Sequence, residues 1–345
     1  MPPSPPNQNG RYDPQQRLEF LGAFGQKRLR NSRIAIVGCG ALGSHLASTL
    51  GRMGVGCLTL IDRDFVEWSN LSRQVLFDES DARDSQPKVY AAARALTRIN
   101  SEIEIRPRAI DLDHDNISVI LEDHDLVLDG TDNFSTRYLI NEWSQKFRVP
   151  WIHAAVLGTF GQILPILPGE TACYRCFLPT PPLPGQFETC DTAGVLGLTV
   201  ASVAAAQACE AIKLLLGRKE EIRKGLTLLE SWQGSVQILS VPVRPQCPTC
   251  SQHQYPFLDG TEGQTATTLC GRNAVQVKAP KGTQLDLDQL ADRLAALGPV
   301  KLNPFFLRVH LDPVELSIFP DGRVLVHGTD DTGQARNIVS RTLGS

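Results

Sequence analysis

Two cysteine pairs, Cys173-Tyr-Arg-Cys176 and Cys247-Pro-Thr-Cys250, have the spacing in which each C-x-x-C offers half of a tetrahedral thiolate set. Two halves make a closed structural zinc. Two separate redox pairs are the rival, because the interval from Cys176 to Cys247 is far longer than in a zinc ribbon. A second chemical signal lies upstream, where Gly38-Cys-Gly-Ala-Leu-Gly43 spells G-x-G-x-x-G directly after the apolar run Ile34 to Val37. Gly38 permits a tight turn, Gly40 lets a phosphate approach the backbone, and Gly43 lets the following helix pack closely on the strand. Amides at that helix start favour an anion. Asp62 closes the next apolar run, Cys57 to Ile61, where a ribose-binding carboxylate belongs in a dinucleotide fold. A nicotinamide dehydrogenase reads the same way up to this point.

The polar loop after Asp62 carries Asn70, Arg73 and Gln74, and a guanidinium fork matches phosphate oxygens. Lys88 stands in the first turn of a helix expected over Gln86 to Ile99, where a cation opposes the helix dipole. The run Asp125 to Asp129 ends in Asp129-Gly-Thr-Asp-Asn133, two acids and an amide at a strand exit, a set able to hold Mg²⁺ through oxygen. A dehydrogenase has little use for it. His153 reads as a core histidine bonded to backbone. Leu178 to Phe187 is proline-rich and is expected to cross over the site. Cys39, Cys57, Cys209 and Cys270 read as small apolar core residues.

Strands alternating with helices position these groups, which indicates an α/β fold: a doubly wound, largely parallel, Rossmann-like sheet, followed by a small C-terminal α+β domain. We expect a disordered tail over residues 1–10, a main domain with the zinc site over 11–252, a linker over 253–269 and the small domain over 270–345. The short lead-in Leu18 to Leu29 is a packing arm. Val195 to Leu216 is an alanine-rich buried helix, too polar through Thr199, Ser202, Gln207, Glu210 and Lys213 to span a bilayer. The 345 residues, 42% hydrophobic with net charge −3 and no basic tract, exclude nucleic acid and an anionic membrane as expected partners. An odd count of nine cysteines without a signal sequence points to a reducing, cytoplasmic setting.

Taken together, G-C-G-A-L-G (38–43), L-I-D-R-D (60–64), N-L-S-R-Q (70–74), Q-P-K (86–88), L-D-G-T-D-N (128–133) and R-Y-L-I-N (137–141) resemble the ThiF/MoeB branch of the ubiquitin-activating superfamily. The resemblance implies ATP-dependent adenylation of the C-terminal glycine of a ubiquitin-like or sulfur-carrier protein ending in Gly-Gly. It implies that Asp62 holds the ATP ribose, that Asn70, Arg73 and Lys88 neutralise the triphosphate, and that Asp129 carries Mg²⁺. Gly38, Gly40, Gly43, Gln74 and Asn133 complete the implied ATP site. It further implies zinc on Cys173, Cys176, Cys247 and Cys250, a homodimer, a sulfur donor or downstream acceptor, and a match of Cys190 to the cysteine that joins the carrier in ThiF-like members. MoeB-like members work without that cysteine. The C-terminal domain resembles a ubiquitin-like extension. One departure stands out: the family's R-Y-x-R-Q arm reads Arg11-Tyr-Asp-Pro-Gln15, with Pro14 in place of an arginine that the partner subunit receives. The alternatives are an NAD-dependent Rossmann oxidoreductase and, because of Pro14, a catalytically weak carrier-binding scaffold.

Overall fold

The computed structural model describes residues 10–182, 193–262, 267–269, 274–277, 279 and 283–343. Residues 1–9 of the tail expected over 1–10, Cys190 and Cys270 lie outside them. Two compact units divide the described chain, one on residues 10–182 and 193–262, the other on residues from 267 onward.

The first unit holds Arg33–Val37 (β1), Cys57–Ile61 (β2), Glu104–Arg108 (β3), Leu126–Asp129 (β4), Trp151–Leu157 (β5), Phe160–Ile166 (β6), Leu226–Glu230 (β7) and Ser235–Leu239 (β8). They form one sheet in the order β3-β2-β1-β4-β5-β6-β7-β8. Strands β3 to β5 of that order run parallel, and β6, β7 and β8 add antiparallel. Parallel neighbours need crossover helices, which cover both faces. Alternate residues of β1 accordingly enter different cores. Ile34 and Ile36 pack with Leu46, Leu50, Val200 and Val203. Ala35 and Val37 pack with Tyr138, Trp143 and Trp151.

The alanine-rich stretch is the helix Gly197–Leu215, long and apolar enough to cross a membrane by length and composition alone. Here it is a core element, burying Val200, Val203, Ala204, Ala208 and Ala211 in the first core. Its outward stripe carries Leu198 and Cys209, so Cys209 is exposed and the expectation of a core cysteine is corrected. Residues 198, 202, 205 and 209 recur at the helical period, which puts them on one face together.

The expected linker is also corrected. Phe257 and Leu258 are buried, the Tyr138 ring stacks on Phe257 at 5.1 Å, and the Leu258 N–H donates to Glu142 Oε2 at 2.9 Å. Residues up to 262 therefore belong to the first unit. Thr267–Leu269 is already a strand (β9) of the second.

The second unit continues with Ala274–Val277 (β10), Val300–Leu302 (β11), Leu307–Leu311 (β12), Val314–Ile318 (β13) and Val324–His327 (β14), in the order β11-β12-β13-β14-β10-β9. Helices Leu287–Leu294 and Thr332–Leu343 contribute Leu290, Leu294, Ala335 and Val339 to a core with Val309, Leu316 and Val326. Every pairing among the described residues is antiparallel. The unit is α+β.

Candidate functional site

Val37 pairs with Ile61 on one side and Asp129 on the other, so β1, β2 and β4 release their chains at one level. The strand order reverses direction between β1 and β4, and open α/β sheets take ligands in the crevice at such a point. The glycine turn sits there. Gly38 has φ +88, a left-handed conformation that favours glycine. A Cβ on Gly43 would lie 1.8 Å from the Gly38 carbonyl oxygen, so only glycine lets the helix Ala41–Arg52 close on the turn. Gly40 caps that helix with no side-chain acceptor, which leaves its first amides suited to an anion.

Asp62 stands at the lip of the crevice. Its carboxylate accepts the Cys39 N–H at 2.7 Å and the Asp64 N–H at 2.7 Å. Burial raises its pKa, and the charge of Lys88 opposes that rise. Lys88 opens the helix Lys88–Ile99, is buried, and places Nζ 3.2 Å from Asp64 Oδ2. Its backbone N–H donates to the Asp64 carbonyl at 2.9 Å. Asp64 thus orients the lysine, a role the sequence reading did not assign; its place in L-I-D-R-D was the available signal.

The loop residues divide. Asn70 is buried, and its Oδ1 accepts the Glu67 N–H at 3.1 Å, which closes the short turn Trp68–Asn70. Arg73 is half-buried, with Nη1 donating to the Ser69 carbonyl at 2.8 Å. Gln74 reaches back to the glycine turn, with Nε2 3.9 Å from where a Gly40 Cβ would stand. Its buried Oε1 has no hydrogen-bond partner among the described residues, a polar atom in want of a ligand.

Asp129, expected to carry Mg²⁺, is held throughout by protein groups. It is wholly buried, and Oδ1 accepts the Thr131 N–H at 2.8 Å and the Thr131 hydroxyl at 2.7 Å. Oδ2 accepts His153 Nδ1–H at 2.6 Å and Arg137 Nε–H at 3.2 Å. Gln162 Nε2 lies 3.1 Å from His153 Nε2, and burial lowers the pKa of the imidazole. Burial pushes the Asp129 pKa up, but Arg137 and His153 outweigh it and hold it below the usual value. With both oxygens engaged in a dry network, Asp129 does not fit a magnesium ligand. Asp132 of the same loop does, because its carboxylate is exposed and Mg²⁺ keeps waters and takes one or two carboxylates beside substrate phosphates. Asn133 caps the helix Phe134–Phe147 by accepting the Thr136 N–H at 2.9 Å. Arg137, quoted above only as part of a motif, also donates to the Thr131 carbonyl at 2.6 Å and so pins the loop that presents Asp132. His153 is a core histidine as read, but its partner is a carboxylate instead of backbone.

The four zinc-pair cysteines come together, all ligand atoms lying within 4.8 Å of one another. Sγ separations are 3.9 Å for Cys173 to Cys176, 3.6 Å for Cys173 to Cys247 and 3.4 Å for Cys176 to Cys250. A tetrahedron with zinc–sulfur bonds of about 2.3 Å has edges of about 3.8 Å, so the set fits Zn²⁺.

A glycine turn at the switch point of a doubly wound sheet, with a four-cysteine cluster in the same unit, marks a nucleotide-binding class. The family model described as ThiF family matches residues 12–250. The chain belongs to the ThiF family. It is 37% identical over 337 residues, 97% of this chain and 99% of the relative, to a sulfur carrier protein ThiS adenylyltransferase of Bacillus subtilis. It is 35% identical over 242 residues, 70% of this chain and 88% of the relative, to a SAMP-activating enzyme E1 of Haloferax volcanii. Among solved structures, E. coli MccB with ATP superposes with TM-score 0.60 at 25% identity, over 70% of this chain and 74% of that one. The chain is an adenylyltransferase of the ThiF/MoeB type and uses ATP. The oxidoreductase alternative is set aside.

Proposed function

We propose that this enzyme uses ATP to adenylate the C-terminal glycine of a small ubiquitin-fold sulfur-carrier protein ending in Gly-Gly. The observation that carries the reading is the match to a ThiS adenylyltransferase along 97% of the chain, its second unit included. In the reaction a carboxylate oxygen of the carrier forms a bond to the α-phosphorus, and the bond to the β-phosphate oxygen breaks to release pyrophosphate. The protein's part is positioning and charge stabilisation. The turn at Gly38, Gly40 and Gly43 receives phosphate, Asp62 orients the ribose, and Arg73, Gln74 and Lys88 face the triphosphate. Asp132 would hold Mg²⁺, which would neutralise phosphate charge. Cys173, Cys176, Cys247 and Cys250 would hold Zn²⁺ as a crosslink between distant segments. Transfer of the activated carrier to Cys190, exchange with a sulfur donor or downstream acceptor, homodimerisation and a cytoplasmic setting complete the proposal.

Pro14 favours a second reading, a catalytically weak carrier-binding scaffold. Arg17, one helical turn beyond Pro14, is exposed and is the arm cation available in its place. Both readings meet in one experiment. ATP–pyrophosphate exchange should require a Gly-Gly-ended carrier, and intact mass should find the carrier adenylate, with any covalent adduct lost in Cys190→Ala. Exchange that stays silent with every such carrier supports the scaffold.

A further inference from the structure

Arg63 is a cation that the adenylation chemistry above leaves without a task. It follows Asp62 at the exit of β2, with a side chain 17% exposed. Its Nη1 lies 3.1 Å from Asp111 Oδ2, and its Nε 4.0 Å from Asp64 Oδ1. Asp111 belongs to the segment that leaves β3. The Asp62 N–H donates to the Arg108 carbonyl at 3.2 Å and ties the two exits together. The ion pair therefore bridges β2 and β3, further from β1 than the ribose acid.

A nucleotide laid along this edge has a direction. Its phosphates occupy the glycine turn after β1 and its ribose meets Asp62 after β2. The base must continue outward, toward the exit of β3. Arg63 and Asp111 stand at that end.

We infer that the Arg63–Asp111 pair is the base end of the ATP site: the Arg63 guanidinium stacks on the adenine, and Asp111 holds that plane in place. The inference rests on the ATP-dependent reading above and extends it to the base. A guanidinium is planar and weakly hydrated, so it lies flat against a ring, which a lysine ammonium, having no plane, does not. Its tie to Asp111 removes rotamer freedom before the ligand arrives, which reduces the entropy lost on binding. A different role would be charge alone. Burial opposes the Arg63 charge, yet Asp111, Asp64, Asp132 and Asp62 together raise its pKa, so the side chain also offsets a crowd of carboxylates.

Calorimetric binding of ATP and of inorganic tripolyphosphate to the full-length chain separates the two roles. Arg63→Ala and Arg63→Lys should both weaken ATP by about tenfold while tripolyphosphate, which has no base, stays within about twofold. Asp111→Asn should weaken ATP by about threefold, since it loosens the plane without removing it. ATP affinity unchanged in Arg63→Ala, a parallel loss of tripolyphosphate, or full rescue by lysine would each overturn the inference. Should Arg63→Ala melt far below the wild type, Arg63→Met keeps the aliphatic stem and carries the same expectations. A wild-type chain that binds neither ligand overturns the ATP reading itself, which is a different failure.

Discussion

The exits of β2 and β4 flank the same glycine turn, and each closes a buried apolar run with an aspartate. Asp62 takes its hydrogen bonds from two backbone amides and keeps a lysine nearby, so it remains half-buried at the crevice with its pKa raised by burial. Asp129 takes its hydrogen bonds from Thr131, Arg137 and His153 and has no surface left. Backbone amides steady an acid and leave it able to meet a ligand. A buried guanidinium and imidazole consume it. The magnesium role is proposed for Asp132 instead, whose loop is held by the Arg137 and Thr131 contacts that Asp129 anchors.

The largest effect that tests this contrast is on stability. Asp129→Ala would leave Arg137 buried without its counter-charge and should destabilise the chain by about 3–5 kcal/mol in denaturant unfolding. Asp132→Ala should stay within about 0.5 kcal/mol of wild type in the same measurement. If the two variants unfold alike, the distinction between the acids fails.

Activity should show the reverse. Asp132→Ala should lower carrier-dependent pyrophosphate exchange by about a hundredfold, because charge stabilisation at a phosphoryl centre is typically worth that much. A normal rate with a normal magnesium dependence would return the metal to another ligand.

The smallest effect is in pH dependence. The folded-state pKa of Asp129 is depressed below its ordinary 3.8, so its stabilisation is present above that value and lost as pH falls through the folded pKa. Asp62 has a raised folded-state pKa, so its burial cost is relieved as pH falls through it. Asp129→Asn should flatten the acid limb of the stability curve, and Asp62→Asn should steepen it. Equal slopes would show that neither shift reaches the folding equilibrium.

Much of this was legible in the chain itself. The glycine turn, the apolar runs of β1, β2 and β4 and the paired cysteines are local patterns, in which turn chemistry, a short continuous apolar run and a two-ligand spacing each specify their own geometry. The helices 88–99 and 197–215 were legible for the same reason. The three-residue strands β9 and β11 were not, because so short a run carries too little alternation to distinguish it from loop.

The sequence by itself determined that a nucleotide cradle, a string of acids and cations and two thiolate pairs exist, in an order that suits adenylation. Only the tertiary structure decided which acid is available. Asp129 and Asp132 stand three residues apart in one loop, and nothing local separates them. The difference comes from His153 on β5 and Arg137 on the helix Phe134–Phe147, which arrive through folding and saturate one carboxylate while leaving the other in water. The same holds for Lys88 on Asp64, Arg63 on Asp111, Phe257 on Tyr138 and the exposed Cys209. Element type follows from spacing along the chain. The choice of partner follows from which distant side chains share a volume, and that is set only when the sheet and its covering helices are assembled.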